Sequence, residues 1–154
     1  MNSPHVPEAC ASYWLPRLQR SGVLVPETVQ VAGPPGDELV NLLDGAEVQG
    51  WDLFLAVMIA ACKTVGWPAF IRTGRFSGKH WWRKACYVPA ADQLAAHIAQ
   101  IVEASHLVDM MGLATDVWLV RKYLPPPDGH FTAFDGMPVR CECRAFFRDG
   151  RPHS

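Results

Sequence analysis

Between Pro68 and Val88 the chain reads PAFIRTGRFSGKHWWRKACYV, and within it Arg72, Arg75, Lys79, Arg83 and Lys84 are five of the fourteen Lys and Arg residues, with no Asp or Glu among them. Long cations beside glycines suit an anion. Gly74 and Gly78 let backbone N–H groups turn toward a ligand without interference from a Cβ, and guanidinium or ammonium groups then neutralise the charge, so phosphate is the natural ligand. The P-loop does not fit: G-x-x-x-G-K-H is one residue short of the phosphate-binding pattern and has His80 where a metal-binding hydroxyl is required. The opposing reading is a solvated basic hairpin tip.

Other residues invite sharper chemistry and have plainer explanations. Trp81 and Trp82 could stack on bases, but adjacent Trp residues in a strand place one in the core and one at its rim. Arg72, next to apolar Phe70 and Ile71, needs a partner, which Glu142 or a ligand phosphate would provide. Glu142 and Arg144 share a strand face by the period of two and also read as a surface pair. Cys141 and Cys143 with Cys86 and a histidine can be drawn as a zinc site, yet C-x-C without a second closely spaced pair lacks the usual tetrahedral spacing. His97 and His106 read as exposed polar positions on a helix. No nucleophile-elbow or zinc-protease motif is present, which removes support for a hydrolase.

These residues need elements to hold them. Tyr13–Leu18 predicts a short helix or capped turn and Val23–Val31 a strand that Pro26 places at an edge or at its start. Residues 37–43 and 51–65 predict two helices, the second with Leu53, Phe54, Val57, Met58, Ala61 and Cys62 as a broad buried stripe. Ala69–Ile71 and Trp81–Val88 read as the two strands of the basic hairpin. Residues 91–111 predict a long helix, Val117–Val120 a buried strand, and 131–134 and 139–147 further strands with turns at Asp135-Gly136 and Asp149-Gly150. The order of elements predicts an α+β fold with mixed or antiparallel sheets and packed helices rather than a doubly wound parallel sheet. It reads as an irregular leader at 1–20, an N-terminal lobe at 21–117 that carries the hairpin, and a hinge strand with the start of a second sheet at 118–154, or as one compact domain overall.

Composition supports an ordered protein. With 49% apolar and 19% charged residues the chain is an ordinary globular one, and a net charge of −1 excludes a globally basic nucleic-acid coat. The first residues lack the charged and apolar regions of a signal peptide, and Leu53–Cys62 is too short to span a bilayer, so a cytoplasmic protein that does not engage membranes is expected. Five cysteines without such a signal are expected to be reduced.

Taken together, FIRTGRFSGKHWW at 70–82, WLVRKYL at 118–124 and ECRAFFRDG at 142–150 resemble the ATP-grasp superfamily over roughly residues 20–151. The likeness is closest to the branch of the cell-division-cycle assembly factors and related uncharacterised bacterial and phage proteins. The resemblance implies ATP binding, and carboxylate activation as an acyl phosphate for attack by an amine or thiol. It puts Arg72 where the family has its phosphate-binding strand lysine, and makes Gly74, Ser77, Gly78 and Lys79 the flexible loop over the phosphates. Val120, Arg121, Lys122 and Tyr123 match the hinge, whose backbone reads adenine, although Arg121 stands where an acid is commoner. Glu142 becomes a ribose or metal-side partner and Arg144 a cation facing the phosphates. The family's Mg2+-binding acids fall on strands past the last residue here, which implies a relative with an incomplete C-terminal lobe. The alternative function is a non-catalytic nucleic-acid-binding module that uses the basic aromatic hairpin at 70–88, with Arg and Lys on phosphates and Phe76, Trp81 or Trp82 on bases.

Overall fold

The computed structural model describes residues 10–34, 38–108, 113–126, 128–139, 146–148 and 151–153. Helix α1 (Ala11–Arg20) leads to strand β1 (Thr28–Ala32), a 3-10 turn (Glu38–Leu42) and helix α2 (Trp51–Val65). Strand β2 (Ala69–Thr73), a 3-10 turn (Lys79–Trp81), strand β3 (Tyr87–Val88), a third 3-10 turn (Ala91–Gln93) and helix α3 (Leu94–Val108) follow. Strand β4 (Val117–Lys122) precedes two hairpins, β5 (Phe131–Ala133) with β6 (Met137–Val139) and β7 (Phe146–Arg148) with β8 (Arg151–His153). The main sheet has the order β1-β4-β2-β3, and every recorded pair is antiparallel, so the protein is α+β.

Alternation along the strands gives this sheet two different faces. Val29, Val31, Ala69, Ile71, Trp118 and Val120 join the main core, which α2 and α3 cover with Phe54, Met58, Ala61, Cys62, Val65, Leu94, Ile98, Ile101 and Val102. The Phe54 ring lies 5.7 Å from that of Trp118 and 6.1 Å from that of Trp51, which fixes α2 over the sheet. Residues of the other register, Phe70, Arg72, Leu119 and Arg121, point the opposite way. There α1 covers only the part around Leu119, through Ala11 and Leu15.

Several local expectations are corrected. The stripe on α2 is narrower than predicted, since Leu53 is 73% exposed and Val57 44% exposed. Residues 81–88 do not form a long return strand: Ala85 N–H donates to Trp81 O and Tyr87 N–H to Trp82 O, so the chain coils locally and only Tyr87–Val88 pairs with β2. His97 is buried rather than exposed, its Nδ1 2.9 Å from Ala85 O. A carbonyl only accepts, so Nδ1 carries the proton and ties α3 to the coil at 82–86. Strand β4 pairs with both β1 and β2, so the segment read as a hinge strand is a central strand of the sheet. Among the described residues no helix is long and apolar enough to cross a membrane.

Candidate functional site

The uncovered part of the second face becomes a cavity of about 600 Å3 lined by Phe70 and Arg72 of β2, Arg121 and Lys122 of β4, Tyr123 and Leu124 beyond it, Lys79, His80 and Trp82 of the coil, and the β5–β6 hairpin. Phe70 lies directly opposite Arg121 and Arg72 opposite Leu119, so the two arginines sit diagonally on one face of adjacent strands. Such diagonal neighbours are within reach of long side chains. Burial pushes the Arg72 guanidinium below the usual arginine range, and Arg121 beside it pushes the same way. Burial alone does the same to Arg121. Arg72 Nε donates to Thr73 O at 2.9 Å, whereas Arg121 Nε is buried without a hydrogen-bond partner among the described residues. Two desolvated like charges with an unused donor form a site that an anion would stabilise.

The hairpin that closes this cavity is attached at its tip. Asp135 Oδ2 accepts from Arg83 N–H at 3.1 Å, and the Phe134 ring meets the His80 ring edge-on at 4.5 Å. Phe134 and Asp135 take φ of 38° and 50°, a left-handed conformation that side-chain-bearing residues rarely adopt, followed by Gly136 at 81°. A Cβ on Gly136 would meet only the movable guanidinium end of Arg83, so it is the positive φ that favours glycine there.

The residues predicted from sequence divide into three groups. Arg72, Lys79, Arg121, Lys122 and Tyr123 line this one cavity. Gly74, Ser77, Gly78 and Val120 do not. The loop after β2 is locked rather than free, because Thr73 N–H donates to Phe76 O at 2.9 Å and Thr73 Oγ1 accepts from Phe76 N–H at 2.8 Å and Arg75 N–H at 3.3 Å. Gly74 N–H goes to Val117 O at 2.7 Å, and Gly74 O accepts from Ala11 N–H at 2.8 Å. The backbone donors of 74–76 are therefore spent within the protein and cannot cradle a phosphate. Gly78, at φ +63°, is pressed against Ala85, where a Cβ would stand 3.0 Å from its methyl group. Val120 is fully buried on the helix-covered face, and the backbone of 120–122 is engaged on both sides by β1 and β2, so an adenine edge could be read only from Tyr123 onward. Glu142 and Arg144, with Cys141 and Cys143, lie outside the described residues.

Sequence reasoning named Trp82 only as a possible stacking partner for bases and missed the participation of Phe70, Phe134, Met137 and Pro138. Trp82 is 9% exposed and Trp81 38%, the core-and-rim division expected of the pair. Rings of Trp82 and Tyr87 stack at 5.7 Å and 17°, and Tyr123 meets Tyr87 edge-on at 5.1 Å. The available signal was the spacing of aromatics around the cations, which alone does not give their direction. Cys62 and Cys86 are buried thiols pushed up to about 12 by desolvation, which makes them poor nucleophiles.

No protein-family model, no curated protein and no solved structure matches the chain.

Proposed function

We propose that this protein binds a nucleoside polyphosphate, ATP being the ligand to test first, with its phosphates against Arg72, Lys79, Arg121 and Lys122. The observation that carries this reading is the Arg72–Arg121 pair, half-buried on adjacent strands with the Arg121 Nε unpartnered among the described residues. Phosphate oxygens would neutralise both cations, and guanidinium forks match phosphate geometry. Exposed lysines alone would not support the same conclusion.

An ATP-grasp-like relationship belongs to the same proposal, supported by the cationic strand β2 and by the course of β4 into Tyr123. Ligase chemistry of that kind uses Mg2+ to neutralise the transferring phosphate. The described residues lining the cavity include no carboxylate, and no group of three or more His, Cys, Asp or Glu among the described residues could hold a metal ion. These residues do not fit magnesium, so the proposal is confined to binding. A nucleic-acid-binding reading draws support from the exposed Lys79, His80, Trp81, Arg83 and Lys84, a surface that overlaps the cavity at Lys79 and His80.

Thermal melting distinguishes the two. ATP at about a hundred times its Kd should stabilise the fold by about 2.7 kcal/mol, a rise in Tm of roughly 5–10 °C, and Arg72→Ala should abolish the shift. No shift with ATP, together with single-stranded DNA binding that weakens steeply with salt, would establish the nucleic-acid reading instead.

A further inference from the structure

Next to the basic cavity lies a second one of about 400 Å3, lined by Trp82, Arg83, Tyr87, Pro89, Gln93, Tyr123, His130, Gly136 and Pro138. Trp82, Tyr123 and Pro138 line both, so the two spaces meet at a shared aromatic partition. Four rings contribute to it. Phe70 packs on Trp82 at 5.8 Å, Trp82 stacks on Tyr87, and Tyr123 closes against Trp82 at 6.1 Å and against Tyr87 at 5.1 Å. Tyr87 and Tyr123 are only half-buried, so each retains ring surface that the cavity can use.

The chemistry on the two sides differs. The larger cavity gathers Arg72, Lys79, Arg121 and Lys122, whereas the smaller one places aromatic rings beside the Gln93 amide, the Arg83 guanidinium and the His130 imidazole. Rings with a few hydrogen-bonding groups at their edge suit a planar, polar heterocycle, and cations suit its phosphate tail. A ligand that carries both parts would use both cavities where they meet at Trp82, Tyr123 and Pro138.

Resting on the polyphosphate reading above, we infer that the smaller cavity is a nucleobase compartment, with the base against Tyr87 and Tyr123 and its edge toward Gln93. Stacking tolerates any base, because each has a π-face, so discrimination among bases is modest and falls to Gln93.

Titration calorimetry with inorganic triphosphate, ATP and CTP tests this. Both nucleotides should bind about ten- to a hundred-fold more tightly than triphosphate. Tyr87→Leu keeps an apolar side chain on β3 and should erase that advantage while triphosphate affinity is unchanged. Gln93→Ala, at an exposed position, should alter the ATP-to-CTP ratio without disturbing the fold. Equal affinities for triphosphate and ATP in the unaltered protein overturn the base compartment and leave the phosphate site standing. Binding of none of the three overturns both, and tight binding of a single-stranded oligonucleotide in their place assigns the surface to nucleic acid.

Discussion

Replacing Arg121 with methionine should make the ligand-free protein more stable while abolishing its response to ATP. The side chain sits on the central strand β4 opposite Phe70, half-buried, with Arg72 diagonal to it and its own Nε unpartnered among the described residues. A buried donor left without a partner costs about 1–3 kcal/mol. Exchanging buried charge for an apolar chain of similar volume is commonly neutral or stabilising by about 1–4 kcal/mol. Methionine retains most of the length and packs against Phe70, so a gain of about 1–3 kcal/mol is expected. For a chain of this size that raises Tm by roughly 2–12 °C. Differential scanning calorimetry with and without ATP reads both consequences. Lys122→Met is the control: Lys122 is exposed, and its loss should change stability by no more than about 0.5 kcal/mol. If Arg121→Met melts below the unaltered protein without ligand, the guanidinium is held by a stabilising partner and the vacant-anion-site reasoning fails. A retained ATP shift would defeat it equally.

Gly74→Ala should destabilise the fold by about 1–3 kcal/mol, because the added methyl group would collide with Cys10 Sγ and crowd Val117. A urea midpoint unchanged by this substitution would restore the flexible-loop expectation. His97 gives a pH dependence. Burial holds its imidazole below the ordinary 6.5, against the hydrogen bond to Ala85 O, so the native state binds fewer protons than the unfolded one. That contribution is fully present above the unfolded value and is lost as pH falls through the lower folded value. His97→Asn should flatten the decline in stability below about pH 6.5, read from urea midpoints across the acid range, and an unaltered slope would place the sensitive group elsewhere.

Much of the scaffold was legible because periodicity reports burial directly. Phe54, Met58, Ala61, Cys62 and Val65 recur at helical spacing, Gly66 follows the last turn, and the apolar Trp118–Val120 segment became the buried middle of β4. What failed had a common physical cause, that direction and partner are tertiary properties. Gly74 and Gly78 signalled conformational freedom, but the close approach of Cys10 and Ala85 explains them at least as well. Thr73, whose hydroxyl and N–H lock the turn through Phe76, carried the contrary signal in the sequence, since Thr after a strand readily closes such a turn. The basic run separated for a similar reason. Arg72 and Lys79 reach the larger cavity and Arg83 the smaller, while Arg75 lines a different depression beside α1 with Tyr13, Arg17 and Asp116.

The sheet's second face then explains why stability and binding should oppose each other here. A helix-covered sheet buries its second face against another layer or leaves it wet. This one does the first around Leu119 and neither fully at Phe70, Arg72 and Arg121, where the β5–β6 hairpin leaves a cavity instead of packing flat. Under the proposed reading, cations at those registers of two neighbouring inner strands would lower stability without ligand, and a bound anion would restore it. Substitutions at Arg72 and Arg121 should therefore move ligand-free stability and affinity in opposite directions. Substitutions at Phe54 or Trp118, which pack the covered face, should lower both together. A site assembled from surface lysines would show neither pattern, because their removal changes stability little.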